Sequence, residues 1–184
     1  LAHVNSLMST HKGFEEFCVE AGKILREKFQ FRFIDIWIRD ERNPDLLRLV
    51  TPEAVNGYRE TTIQEGLVGK CIRESRTICV PDVARDPDYK KVHPEIFSEL
   101  CVPLMSDGNS IGVMNIETDT PQTFKQERAL IELIAENLGH SLHVALLYRT
   151  EEQFHHLVEE MSEGVWVGDS EERASERENA AAGH

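Results

Sequence analysis

Two apolar runs hinged on Asp107-Gly108 fill the stretch SELCVPLMSDGNSIGVMNIET at residues 98–118. Asp-Gly accepts the positive φ angles of a tight hairpin turn, so the runs read as an antiparallel pair. Strand side chains alternate: Leu100, Val102 and Leu104 share one face, Cys101 and Met105 the other. Neither face looks wet, and a strand buried on both sides needs cover on both sides.

The rest of the chain supplies that cover. Phe14, Phe17, Cys18, Ala21, Ile24 and Leu25 recur at three- and four-residue spacing, which predicts an amphipathic helix over residues 10–28. FRFIDIWIRD follows as a strand, with Phe31, Phe33 and Trp37 on one side and Ile34, Ile36 and Ile38 on the other. Asn43-Pro44-Asp45 makes a turn, and LLRLVT returns as its partner strand. EGLVGKCIRES reads as a short helix entered near Gly66, and TICVPDV as a strand stopped at Pro81. Residues 82–97, DVARDPDYKKVHPEIF, are polar and without period, the mark of a binding loop or lid.

After the hairpin, Thr123 with Gln126 resembles a capping box, and the helix that follows is expected to run about 30 residues. Its Leu130, Ile131, Leu133, Ile134, Leu138, Leu142, Ala145 and Leu146 cover more than one stripe. One stripe packs on the sheet. The remainder asks for a second copy, with Ile131, Ile134, Leu138, Leu142 and Ala145 as the expected homodimer contacts, in a coiled coil or a four-helix bundle with the first helix. The expectation is an α+β fold: a central antiparallel sheet with the N- and C-terminal helices on one face, and the short helix and long loop on the other. Irregular cover commonly leaves a pocket.

Composition narrows the function. With 33 acidic and 20 basic residues the net charge is -13, which repels phosphate backbones and argues against nucleic-acid binding. No stretch approaches the roughly 18 apolar residues of a membrane span, so no membrane contact is expected here. Cys18, Cys71, Cys79 and Cys101 lack CxxC spacing and read as free thiols of a reducing cytoplasm; no metal site is expected. The chain opens on Leu1 rather than Met and is read as a piece of a longer protein.

The stretch EGLVGKCIRESRTICVPDVARDPDY, together with SELCVPL, IGVMNIE and Pro121 with Phe124, resembles a GAF domain, a small-molecule sensor module widespread in bacterial signalling proteins. The resemblance covers residues 10–150, after an extension over residues 1–9. Residues 151–184, with EGVWVGD and an Asn-Ala-Ala step, are similar to the opening of a PAS domain. Tandem units of this kind imply the sensory front of a histidine kinase, diguanylate cyclase or related regulator, with a connecting helix that carries the signal.

The irregular cover places the expected pocket between the sheet and residues 82–97, for which Trp37, Tyr58, Asp82, Tyr89, His93, Phe97 and Cys101 are the candidates. Asp82 also reads as a cap for its own loop, Trp37 as core, and His93 as a plain loop residue. His140 and His143 lie on the long helix, with Glu136 one turn before His140. The expected role is non-catalytic: binding an unidentified small molecule, mediating dimerisation, or both; no cofactor is named. The alternatives are a spacer without ligand and a free methionine sulfoxide reductase, an enzyme that resembles GAF domains. Those reductases carry a reactive cysteine in the loop before the SE strand, where this chain has Val92 and no cysteine between Cys79 and Cys101. Bilin binding lacks its Cys-His pair, and the NKFDE signature linked to cyclic-nucleotide binding is absent.

Overall fold

A computed structural model describes residues 11–29, 31–51, 58–92, 95–121 and 124–147. The chain divides into two compact units, Leu1–Ala145 and Leu146–His184, and all but two residues of the second fall outside those described. The PAS-like segment and the extension over residues 1–9 lie outside them too, as does Thr123 of the expected capping box.

The first unit follows the order α1 (His11–Phe29), β1 (Phe33–Arg39), β2 (Leu46–Leu49), β3 (Glu60–Thr62), α2 (Gly66–Glu74), β4 (Ile78–Val80), a 3-10 turn (Val83–Arg85), β5 (Ser98–Ser106) and β6 (Asn109–Thr118). A last helix, α3, is described over residues 128–147. The six strands form one antiparallel sheet in the order β3-β2-β1-β6-β5-β4. The chain is thus α+β around an antiparallel sheet. β3 is three polar residues, Glu-Thr-Thr, with no apolar alternation to announce it; pairing with β2 makes it a strand.

The β5–β6 hairpin turns through Asp107 and Gly108, both at positive φ (47° and 78°), with Ser106 and Asn109 paired on either side. Two consecutive positive φ values give the two-residue turn whose twist matches that of the strands. β5 and β6 lie inside the sheet and are buried almost throughout, which answers to their apolar character on both faces.

Alternation divides the two layers. Ile34, Ile36, Leu100, Met114 and Ile116 are almost wholly buried on one face, which α1 covers. α3 lies against β5, where a Cβ on Gly139 would run into the backbone of Met105. On the other face Trp37, Leu47, Cys101 and Val113 join Leu67, Val68, Cys71 and Ile72 of α2 and Val83 and Ile96 of the loop in a second core. Each large aliphatic side chain so buried contributes on the order of 1.5–3 kcal/mol.

Four of the five residues expected at a dimer contact are used inside the protomer. Ile131, Leu138, Leu142 and Ala145 are buried and Ile134 is half-buried. Among the described residues, no helix is long and apolar enough to cross a membrane.

Candidate functional site

The face carrying the second core is not filled to the end of the strands. Asp35 interrupts the apolar run of β1 two residues before Trp37, and Glu99, Asn115 and Glu117 interrupt β5 and β6 on the same side. The register sets Glu99 directly opposite Glu117, and Asn115 opposite both Asp35 and Cys101. Directly opposed side chains share a face with Cβ atoms about 5 Å apart, so four polar groups form one patch.

Above that patch is a cleft with a cavity volume of about 60 Å3, room for several waters or a small polar molecule. Its floor holds Asp35, Glu99, Asn115 and Glu117, and Trp37, Leu49, Tyr58, Leu67, Val68 and Val92 also line it. Glu65 and Lys90 stand at the lip. Trp37 meets Tyr58 edge to face at 6.0 Å between centroids. The Lys90 ammonium sits 4.9 Å over the Tyr58 ring, donates to its hydroxyl at 2.8 Å, and pairs with Glu65. Hydrogen bonding to Glu65, and then to Tyr58, raises the Lys90 pKa and keeps it charged.

The loop over the cleft is tied down at several points. Val83 N donates to Phe97 O at 2.9 Å, and Lys70 of α2 donates to Asp88 at 2.6 Å. Asp82 accepts from Ala84 N at 3.2 Å and pairs with Arg85 at 2.9 Å, so it caps the 3-10 turn and does not line the cleft.

The floor is acidic. Burial pushes both carboxyls up; Asp86 and Asp35 add to the effect on Glu99, and Glu99 and Asp35 to that on Glu117. Glu99 is also held by Cys101, whose Sγ lies 3.2 Å from Glu99 Oε1 and 3.2 Å from Asn115 Oδ1. The same burial and the nearby Glu99 drive the Cys101 thiol upward, while burial first and Glu99 second lift Cys71 to about 12. Both sulfurs are therefore held as thiols.

Two donors stand out. Trp37 is 5% exposed and its indole N–H has no acceptor among the described residues, nor has the buried hydroxyl of Tyr89 a partner there. A buried indole N–H ordinarily finds a partner, and Trp37 lines the cleft.

Of the pocket residues expected from the sequence, Trp37 and Tyr58 line the cleft, and Cys101 lies behind it through Glu99 and Asn115. Tyr89 packs on the second core, Phe97 is exposed, and His93 lies outside the described residues. The acidic floor was missed. Its signal was one polar residue set into each otherwise apolar run: Asp35 in FIDIW, Glu99 in SELCV, Asn115 and Glu117 in VMNIE. Among the described residues, no three of His, Cys, Asp and Glu are grouped so that they could hold a metal ion.

A family model described as "GAF domain" matches residues 11–143. GAF domain-containing protein A of Dictyostelium discoideum is 27% identical over 113 residues, which is 60% of this chain and 70% of that protein. Among solved structures, the GAF domain of a phosphoenolpyruvate-protein phosphotransferase from Coxiella burnetii superposes with a TM-score of 0.68 at 19% identity, covering 81% of this chain and 94% of that one. Free methionine-R-sulfoxide reductase of Neisseria meningitidis, solved with its substrate, gives a TM-score of 0.66 at 24% identity over 78% and 86% of the two chains. At these identities the two structures establish likeness of fold alone.

Proposed function

The chain belongs to the GAF domain family, and from that premise we propose that it is a non-catalytic sensory module whose cleft binds a small molecule bearing a protonated amine and an oxygen acceptor. The observation that carries this reading is the floor itself: Asp35, Glu99 and Glu117 beside a cavity walled by Trp37 and Tyr58. Acids buried side by side repel one another when charged, and unlike-charged groups about 4 Å apart attract by about 4 kcal/mol at an effective dielectric of about 20. An ammonium seated on the floor meets that need, and an oxygen on the same ligand accepts from the Trp37 N–H.

A second reading is an enzyme acting on free methionine sulfoxide, favoured by the fold it shares with the Neisseria protein. Thiol chemistry needs a thiolate, and the cysteines behind the floor, Cys71 and Cys101, are buried with raised pKa values. That supports binding over catalysis.

β6 supplies a route for the signal. Asn115 and Glu117 face the cleft, while Met114 and Ile116 face the other layer. Thr77, just before β4, also donates to Glu132 of α3 at 2.7 Å. A ligand that favours one position of these strands favours one position of α3. In the same reading the domain serves a multidomain cytoplasmic signalling protein and continues into a PAS domain.

The test is a thermal-shift screen of free L-amino acids and small primary amines against their N-acetylated counterparts. Stabilisation by an amine that is lost on acetylation and lost again with Glu117→Gln is the expected result. Stabilisation confined to anions or nucleotides, or none at all, would sink the reading, and turnover of methionine sulfoxide would favour the reductase.

A further inference from the structure

Cys101 is fully buried and does not line the cleft, yet its sulfur reaches two groups that do. The register explains the meeting. Cys101 sits opposite Asn115 across the β5–β6 ladder, and Glu99 lies two residues earlier on β5, so the three side chains share a face of the sheet. Cys101 Sγ is 3.2 Å from Glu99 Oε1 and 3.2 Å from Asn115 Oδ1. A thiol has one proton to give, and either oxygen can accept it. The two lengths are equal, and a turn about the Cβ–Sγ bond carries the proton from one oxygen to the other without moving a heavy atom.

From this we infer that Cys101 is a positioning residue of the cleft: its thiol, behind the floor, holds one oxygen of Glu99 and the side-chain carbonyl of Asn115, and so decides which of their polar atoms the floor presents. With Oε1 and Oδ1 drawn to the sulfur, Glu99 has Oε2 and Asn115 has its amide Nδ2 left for the cleft. Sulfur is a weak acceptor, so the amide gains little by turning its nitrogen inward instead. An amide with no such donor behind it would present oxygen as readily as nitrogen, and the floor would then offer acceptors alone. Held by Cys101, it offers an acceptor and a donor side by side, which suits a ligand whose ammonium and oxygen lie close together. The part these contacts play in binding rests on the amine reading of the cleft; the contacts do not.

Glu99 reports on the arrangement. It is faced by Asp35 from β1, Glu117 from β6, Cys71 from α2, and Asp86 and Tyr89 from the loop, with Glu65 and Lys90 at the lip. Burial most of all, with Asp86 and Asp35, opposes its charge, and the hydrogen bond from Cys101 favours it.

The test uses the full chain with no ligand added. Raman spectra of the wild-type protein should show an S–H stretching component moved to lower frequency by hydrogen bonding, missing from both Cys101→Ala and Cys101→Ser and displaced in Glu99→Gln. The protonation midpoint of Glu99, followed by the infrared carboxyl band that Glu99→Gln removes, should rise by about 0.5–1 in pH with Cys101→Ala, since a donor to the charged form is gone, and return with Cys101→Ser. A Cys101 band at the frequency of a free thiol, or a midpoint that Cys101→Ala leaves in place or Cys101→Ser moves as far, would overturn the inference. A screen in which no amine binds overturns the amine reading alone, because these measurements contain no amine.

Discussion

Glu99 and Glu117 stand directly opposite each other across the β5–β6 ladder, 4% and 5% exposed, on the floor of a cleft at whose lip Lys90 is engaged with Glu65. Two directly opposed acids in the middle of a sheet are unfavourable when both are charged. Their retention is understandable if an occupant relieves them.

The pair makes stability depend on pH. Burial first, then the neighbouring acids, raises Glu99 from 4.5 to about 7 and Glu117 from 4.5 to about 9. A carboxyl raised in the fold binds its proton more tightly there than in the unfolded chain. Its contribution is therefore fully present below the unfolded value and is lost as pH rises through the folded one. The protein should lose about 1–3 kcal/mol from this source between pH 5 and 9, and Glu117→Gln should flatten the decline. Denaturant titrations at several pH values measure it; an equal slope in both proteins would contradict the account.

Trp37→Phe removes a donor that has no acceptor among the described residues. Since an unsatisfied buried N–H carries a desolvation cost, the variant should be as stable as wild type or slightly more so. Affinity for the amine identified in the screen should fall by about 5- to 30-fold, the value of one hydrogen bond lost in a buried site. Calorimetric titration gives the second number and thermal melting the first.

Of the four thiols, only Cys79 is more than slightly exposed; Cys18, Cys71 and Cys101 are buried. Native protein at pH 8 should therefore react with a chromogenic disulfide reagent at no more than one site on the minute timescale, and at four after denaturation. Fast modification of a second thiol would reopen the reductase reading.

Gly139 lies where α3 comes closest to β5, against the backbone of Met105. Gly139→Ala would ordinarily stabilise a helix by about 1 kcal/mol. Here the added methyl meets backbone that cannot rotate away, and a net loss of about 1–3 kcal/mol is expected from overpacking. A rise in the midpoint of chemical unfolding would show that α3 can move off the sheet freely.

The chain order of the elements was legible because each depends on neighbours in sequence. Asp107-Gly108 dictates a hairpin by its φ preferences, and Phe31 to Ile38 alternates with the period of a strand whatever lies above it. β3 was hidden, since Glu60-Thr61-Thr62 becomes a strand only by pairing with β2. The candidate site was legible in part. Trp37 and Tyr58 were among the residues expected at a pocket and both line the cleft, whereas Asp35, Glu99, Asn115 and Glu117 each look like a stray polar residue until pairing gathers them.

By itself the sequence determined which segments coil and which extend, where the chain turns, and that the sheet needs cover on both faces; these follow from local dihedral preference and the period of apolar residues. Tertiary structure alone decided strand order, and with it the meeting of four polar groups drawn from three strands. It also decided which of the two apolar stripes of α3 is used at home: Ile131 and Leu138 go inward, Leu130 and Leu133 outward. A helix's sequence records that both stripes exist, but only the position of the sheet assigns one of them to the protomer.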